Sequence, residues 1–232
     1  MRNFSLIIFI SIIGFFQPSF GQLVGKSDKK LFRNSKDLIL KYRKDSKKYL
    51  DKIDSKKATK YADSIRMAIV DSYIDNYDFV SVSGTIYSTK KRTKPLFLQV
   101  TASWCAPCRA EIPALNKVAE KYSDKVDFVL LFWDDKESLE KFKDRFNNRI
   151  FLVPSEEKSH TYNVVNISGF NHMMSFPTNY LIDMNNRIID YTGGGVIPNS
   201  TDEKNPYFTD EATNKSNYDR LESDVKLLLA KK

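Results

Sequence analysis

Two cysteines, Cys105 and Cys108, lie where an apolar segment of this 232-residue chain passes into a helical one, and the chain has no others. Residues 96–100 form a short apolar run typical of a buried strand, and residues 105–122 have the apolar spacing of a helix. Cys105 is therefore expected at a helix N-terminus, where unpaired backbone N–H groups and the helix dipole stabilise a thiolate and lower the thiol pKa. Two cysteines also exclude a scaffold held by several disulfides and a four-cysteine zinc site.

The Cys-x-x-Cys spacing determines what the two thiols can do together. It places Cys108 one helical turn after Cys105, close enough for the two sulfurs to bond. One thiolate can attack a disulfide, and the second thiol can then resolve the mixed disulfide that forms. We assign Cys105 as the exposed nucleophile and Cys108 as the buried resolving thiol. Pro107 suits the first helical turn, where its missing N–H costs nothing.

Three other interpretations of the cysteine pair remain open. A structural disulfide is one, although so short a loop adds little stability. A copper(I) site is another, with His160, His172, Met173 and Met174 as the available nitrogen and sulfur ligands. A peroxidatic cysteine is the third, but Ala102 stands where such sites place a Thr or Ser.

The order of the remaining segments indicates an α/β protein. Apolar runs and helical spacings alternate after residue 77, which is typical of a layered sheet-and-helix architecture. The predicted elements are two helices within 28–75 separated by a break at Asp54–Ser55, an extended piece at 79–87 with a turn at Gly84, strands at 96–100, 126–133 and 150–153, helices at 105–122 and 137–146, a helical turn at 160–164, a hairpin at 179–191 across Asn185–Asn186, a surface loop at 199–217 and a C-terminal helix at 218–230.

The first 21 residues have the pattern of a secretory signal peptide. Arg2 precedes an apolar stretch at 6–16, Pro18 interrupts it, and small residues at 19 and 21 precede an expected cleavage before Gln22. An uncleaved membrane anchor is the alternative, but the apolar stretch is shorter than the roughly 20 residues of a spanning helix. The mature chain is therefore expected outside the cytoplasm.

The net charge of +8 is concentrated in one segment. Residues 26–60 hold 14 Lys and Arg against 5 Asp and Glu, whereas residues 61–232 hold 22 against 24. The basic residues follow helical apolar spacing without interleaved glycines, which favours a solvated helix face over a nucleic-acid-binding arm. We therefore predict a basic helical segment at 22–76 that binds no nucleic acid, with an envelope partner as a candidate ligand.

The sequence Trp-Cys-Ala-Pro-Cys-Arg-Ala-Glu-Ile-Pro at 104–113 resembles the active site of extracytoplasmic thioredoxin-like proteins of the TlpA/ResA group. The resemblance extends from about residue 79 to residue 191 and includes Gly84, the strand leading to Trp104, and Phe176-Pro177-Thr178 before a further strand. It implies a thioredoxin-like fold at 77–232, with a central mixed sheet flanked by helices, an N-terminal helical appendage and a C-terminal helix.

The resemblance also implies roles for residues outside the cysteine pair. Pro177 corresponds to a cis-proline that faces the cysteines, and the backbone of Phe176 would pair with an extended substrate segment. Glu111 corresponds to a carboxyl that lies near the buried thiol and tunes proton transfer. Gln99 departs from the thioredoxin pattern, because a buried Asp usually stands there and an amide cannot accept a proton. Residues 165–175 form an inserted loop that the family pattern does not explain.

The function implied is that of a thiol–disulfide oxidoreductase of the periplasm, which reduces disulfides of exported proteins through Cys105 and Cys108 and receives electrons from a membrane donor. The chemistry requires no small-molecule cofactor and no metal. Two alternatives are a thioredoxin-like recruitment module with weak redox activity and a copper(I)-handling protein.

Overall fold

The computed structural model describes residues 29–156, 163–198, 207 and 209–231. The predicted signal peptide, His160 and residues 199–206 lie outside these ranges. No helix in the described ranges has the length and apolar character needed to cross a membrane. The helices are α1 (Lys36–Leu50), α2 (Ser55–Ile69), α3 (Ala106–Tyr122), α4 (Lys136–Glu140) and α5 (Glu211–Ala230), and the strands are β1 (Asp78–Val80), β2 (Ile86–Ser88), β3 (Leu96–Thr101), β4 (Asp127–Asp135), β5 (Ile150–Ser155), β6 (Val165–Ile167), β7 (Phe170–His172), β8 (Thr178–Ile182) and β9 (Ile188–Gly193).

A five-stranded mixed sheet forms the centre of the molecule, in the order β5-β4-β3-β8-β9. Strands β3, β4 and β5 are parallel, whereas β8 runs antiparallel to both β3 and β9. The parallel β3–β4 pair requires a crossover connection, and α3 provides it. The predicted mixed sheet flanked by helices is confirmed. The β8–β9 hairpin turns at Asn185–Asn186 as predicted, with Asn186 at a φ of 65°.

The side chains of β3 alternate between the two faces of the sheet, as the period of a strand requires. Leu96, Leu98 and Val100 belong to a core cluster with α1, α2 and the β6–β7 hairpin. Phe97 belongs to a second cluster that includes residues of α3 and α5. Gln99 has the same parity as Phe97, so its amide lies on the face covered by α3 and α5.

The predicted N-terminal helices are present, and they pack against the sheet. The break at Asp54–Ser55 is confirmed, because the Asp54 carboxylate caps α2 by accepting a hydrogen bond from the Lys57 N–H. Phe32 is buried against Phe170 and Tyr180, with ring centroids 5.5 and 5.6 Å away. The predicted domain boundary between residues 76 and 77 stays a prediction. Side chains from both sides of it belong to one core cluster.

Two predicted loops were wrong. Helix α5 begins at Glu211, seven residues before the predicted start of the C-terminal helix at 218, because Asp210 caps it by accepting from the Thr213 N–H. The insert at 165–175 contains the β6–β7 hairpin instead of an irregular loop. Its turn residues, Ser168 and Gly169, have φ values of 48° and 87°, as a tight two-residue hairpin turn requires.

Helix α4 is also shorter than the predicted helix at 137–146. It ends at Glu140, and a separate 3₁₀ turn follows at Lys143–Arg145. The apolar spacing that predicted one helix is real, because Leu139 is buried and Phe142 and Phe146 pack on the same core cluster. Two short turns achieve the same burial as one continuous helix.

Candidate active site

The cysteine pair lies at the N-terminus of α3, directly after the C-terminal end of β3. Cys105 is the N-cap residue of α3, and the Cys108 N–H donates a hydrogen bond of 3.3 Å to its Sγ. The two sulfurs form a disulfide, and Cys105 and Cys108 are 6% and 4% exposed. The predicted difference in exposure is therefore small in this disulfide form. Pro107 lies in the first turn of the helix, as expected.

The segment before the cysteines is held in place by Asp134 at the end of β4. Its carboxylate accepts a 2.8 Å hydrogen bond from the Ser103 N–H and a second one from the Ser103 hydroxyl. The Asp134 side chain is buried. Asp134 was not predicted from the sequence, because its contact with Ser103 depends on β3 and β4 being adjacent in the sheet.

Three aromatic rings surround the cysteines. Trp104, Trp133 and Phe176 contact one another edge to face, with ring centroids 5.8–6.0 Å apart. Trp133 and Phe176 pack against the cluster formed by Ala102 and the two cysteines, whereas Trp104 is 60% exposed. The site thus presents an apolar surface to an incoming chain. Trp133 was not among the predicted site residues, although it ends the predicted strand 126–133.

The Phe176–Pro177 peptide bond is cis, as the resemblance implies. Pro177 is buried, and its carbonyl accepts a 2.9 Å hydrogen bond from the Gly194 N–H of the segment after β9. The next residue in that segment, Gly195, lies so close to the start of α3 that a Cβ on it would be 2.5 Å from the Pro107 carbonyl oxygen. Only glycine allows this contact without a backbone shift.

Glu111 is fully buried one turn after Cys108, on the same face of α3. Gln99 Nε2 donates a 2.6 Å hydrogen bond to one carboxylate oxygen, and Arg220 of α5 forms an ion pair with the other. Burial raises the pKa of Glu111 to about 7, and Arg220 and Gln99 act in the opposite direction. A carboxyl with this pKa can gain or lose a proton near neutral pH.

The hydrogen bonds continue from Glu111 across the sheet to α5. Gln99 also donates to the Asn179 side-chain oxygen at 2.8 Å, and the Asn179 amide donates to Asp224 at 3.1 Å. The Thr192 hydroxyl donates to the same Asp224 oxygen at 2.6 Å. Burial raises the pKa of Asp224 as well. Arg220, Asp224, Asn179 and Thr192 were missed from the sequence, because no local motif connects them to the cysteines.

His172, a candidate copper ligand, lies in β7 and is buried. Its Nδ1 is 3.0 Å from the Tyr180 hydroxyl, and its ring stacks on Phe176 with centroids 5.4 Å apart. Burial lowers the pKa of His172 to about 3, so the imidazole is neutral at physiological pH. Met173 is buried in the core cluster with α1 and α2. Within the described ranges, no group of three His, Cys, Asp or Glu side chains could hold a metal ion.

Comparisons with known proteins agree with this arrangement. The Redoxin family model matches residues 48–208. The chain is 30% identical over 116 residues to the thioredoxin-like protein YneN of Bacillus subtilis (strain 168), covering 48% of this chain and 63% of YneN. It is 29% identical over 99 residues to the thiol-disulfide oxidoreductase ResA of Geobacillus kaustophilus, covering 42% of this chain and 53% of ResA.

The solved structure of StoA from Bacillus subtilis is also similar, with 18% identity and a TM-score of 0.42 over 53% of this chain and 90% of that one. The alignments with YneN and ResA span less than two thirds of those relatives. The match to ResA confirms the resemblance to the TlpA/ResA group. Because the family model covers well over half of the chain, including the cysteine pair and the cis-proline, this protein belongs to the Redoxin family.

Proposed function

We propose that this protein is a thiol–disulfide oxidoreductase that exchanges two electrons with disulfides of other proteins through Cys105 and Cys108. One observation carries the proposal: the cysteine pair caps α3 beside a cis Phe176–Pro177 peptide. The helix N-terminus stabilises a thiolate, and Phe176 packs against the cysteine cluster, where a substrate segment would lie. The ResA relative, a thiol-disulfide oxidoreductase by name, supports the same chemistry.

The first step forms a mixed disulfide. In the reduced protein, the Cys105 thiolate attacks one sulfur of the substrate disulfide, and the substrate S–S bond breaks. A new bond joins Cys105 Sγ to that sulfur, and the other substrate sulfur leaves as a thiolate that takes a proton from water. The exposed Trp104 provides apolar contact area for the substrate chain at this stage.

The second step releases the substrate. The Cys108 thiol gives its proton to the Glu111 carboxylate, and the resulting thiolate attacks Cys105 Sγ. The Cys105–Cys108 disulfide forms, and the second substrate sulfur leaves as a thiolate. Two electrons have then passed from the protein to the substrate. Glu111 suits this role because its pKa of about 7 matches a neutral medium, and Gln99 orients its carboxyl.

The finer assignment is a reductase of exported proteins in the periplasm. The signal-peptide pattern at 1–21 and the resemblance to the TlpA/ResA group support this location, and a membrane electron donor would return the disulfide to the dithiol. The same steps in reverse would oxidise a substrate, and the reduction potential decides between the two directions. A value near about −270 mV favours a reductase, and one near about −120 mV favours an oxidant.

Insulin reduction by dithiothreitol tests the proposal. We expect the wild-type protein to accelerate it and Cys105→Ser to abolish the acceleration, because no nucleophile remains for the first step. Cys108→Ser should still attack and should accumulate the mixed disulfide, which migrates as a larger species under non-reducing conditions. If Cys105→Ser and the wild type perform alike, the cysteine pair is not the reactive centre and the proposal is wrong.

A further inference from the structure

A groove of about 850 Å³ lies between α1 and the segment that leads into the cis peptide bond. Its α1 side carries four basic residues, and the opposite side includes Met174 and Ser175, the two residues directly before Phe176. None of the residues that line it in the described part of the chain is acidic. The volume falls within the range of about 300–1,000 Å³ that ligand pockets occupy. The basic residues are Lys41, Arg43, Lys44 and Lys47.

One of the four positive charges of this groove, that of Arg43, is held at a fixed place. The half-buried Arg43 guanidinium donates a hydrogen bond to the Met173 carbonyl, which ties α1 to the segment before Phe176. Lys41 and Lys44 are exposed at the groove. Lys47 forms an ion pair with Asp51 at 3.1 Å, but both side chains are exposed, so that pair is weak and can exchange partners.

The groove adjoins the segment that leads to the cysteine pair. Phe176 packs against the cysteine cluster, and its ring centroid is 5.8 Å from that of Trp104. Ser175 and Met174 come next and form part of the groove. An extended chain advances about 3.3 Å per residue. A substrate segment that pairs with the Phe176 backbone would therefore reach the basic side chains within a few residues of its own cysteine.

We propose that this groove binds an acidic segment of the substrate protein that lies beside the disulfide to be exchanged. The inference rests on the proposed function and names the chemistry of its substrates. Complementary charge at this position would raise the association rate of acidic substrates and fix their direction across the site. A concave site beside the segment that leads to Phe176 and the cysteines favours a peptide over a flat anionic membrane, which would engage all exposed lysines of α1 and α2 alike.

Peptide disulfides that differ only in charge test the groove. Two peptides carry three Glu residues, one on the N-terminal side of the cysteine and the other on its C-terminal side. Each has a matched partner in which Gln replaces the three Glu residues. We expect kcat/KM of the wild-type protein for at least one Glu peptide to exceed that of its Gln partner about tenfold at low ionic strength. The preference should shrink as salt is added, because salt screens exposed charges.

Two double variants with the same change of charge locate the effect. Lys41→Glu with Lys44→Glu should abolish the preference for the Glu peptide, since it neutralises the formal charge of the four basic residues in the groove. Lys56→Glu with Lys60→Glu should keep it, because these exposed lysines of α2 do not line the groove. For each variant, kcat/KM for the Glu peptide is divided by kcat/KM for the Gln peptide, so that differences in overall activity cancel. The melting temperature checks that both variants fold.

Each other outcome overturns a different statement. If the wild-type protein turns over the Glu and Gln peptides equally, or if both variants lose the preference equally, the groove does not bind an acidic substrate segment. The proposed function is unaffected by either result. A wild-type protein that reduces neither peptide overturns the proposed function itself. Vesicles of anionic phosphatidylglycerol give the last outcome. If the wild-type protein binds them, and the Lys41/Lys44 variant does not bind them but keeps the wild-type preference for the Glu peptide, the groove binds a lipid surface and not an acidic substrate segment.

Discussion

The protonation state of Glu111 depends on opposing effects of a few neighbouring residues. Its carboxyl is fully buried, and burial favours the neutral form. The Arg220 guanidinium and the Gln99 amide favour the charged form through the ion pair and the 2.6 Å hydrogen bond. Asp224 lies one turn after Arg220, with an oxygen 3.9 Å from its guanidinium. Its negative charge partly offsets the effect of Arg220 and raises the pKa of Glu111. Arg220 is therefore a positioning residue for Glu111, the proposed proton acceptor.

Replacing Arg220 by Gln should shift the pH dependence of substrate release. Without the guanidinium the pKa of Glu111 rises above about 7, so less carboxylate is present at neutral pH to accept the Cys108 proton. The rate of release, measured in single-turnover reactions between pH 5 and 9, should reach half of its maximum about one pH unit higher than in the wild type. Arg220→Lys should return the midpoint most of the way to the wild-type value, because it keeps the positive charge.

Two further variants test whether the shift in the pH profile arises from the Arg220–Glu111 ion pair. Glu111→Gln should remove the pH-dependent limb near 7 altogether, because no carboxyl remains to titrate. Lys226→Gln on the exposed side of α5 removes a charge of the same sign and should leave the midpoint unchanged. An Arg220→Gln profile with the wild-type midpoint would show that Arg220 does not act through Glu111.

The residues of the site that were predictable lie in two short segments. Gln99, Trp104, Cys105, Pro107, Cys108 and Glu111 all lie within residues 99–111, and Phe176 and Pro177 directly precede β8. Arg220 and Asp224 lie more than 100 residues beyond Glu111, in an amphipathic helix whose charged residues are expected to face solvent. Their role arises from the packing of α5 on α3, which no local pattern encodes.

The β6–β7 hairpin and the N-terminal helices act together as one layer over the sheet. Phe170 of the hairpin stacks on Phe32, and both rings meet Tyr180 of β8 edge to face. His172 then connects the hairpin to Phe176 at the reactive centre. The hairpin therefore links the basic helices to the cis peptide bond.

Truncating Phe32 should weaken this layer strongly. Phe32→Ala removes a fully buried ring between Phe170 and Tyr180 and should lower the free energy of unfolding by about 3–5 kcal/mol. Urea unfolding followed by tryptophan fluorescence measures the change. Leu38→Ala is the matched control, since Leu38 is 43% exposed and its loss should cost no more than about 0.5 kcal/mol. Equal effects of the two variants would mean that Phe32 does not hold the layer in place.

The two mispredicted loops lack a clear hydrophobic pattern in the sequence, each for its own physical reason. Residues 211–217 are mostly polar and were taken as loop, yet the Asn217 side chain is buried and hydrogen-bonded to the backbone N–H and carbonyl of Val196. In the insert, each strand has only three residues, too few to show a period of two. The long apolar strands were predicted correctly because burial on both faces leaves a continuous apolar signal, and α3 was predicted correctly because its buried side chains repeat at helical spacing.

At the scale of the whole molecule, the distribution of charge separates the N-terminal segment from the rest of the chain, whereas the hydrophobic core joins them. The positive charge is confined to the N-terminal segment, which suggested a separate appendage. The core cluster, in contrast, joins Ile39, Ile65 and Ile69 of the helices to Leu98 and Val129 of the central strands. The ion pair of Arg66 with Asp190, at 2.6 Å, adds a further link between α2 and β9.

Deleting residues 22–76 should therefore abolish stable folding of the remainder. A chain that starts at Tyr77 would leave the α1–α2 side of the sheet uncovered and expose a contiguous apolar patch. We expect it to bind the dye ANS, to lose its cooperative thermal transition and to aggregate, while a chain that starts at Gln22 unfolds cooperatively. If the chain from Tyr77 instead melts cooperatively and reduces insulin at the rate of the longer chain, the helices are a separable appendage and the shared core contributes little to stability.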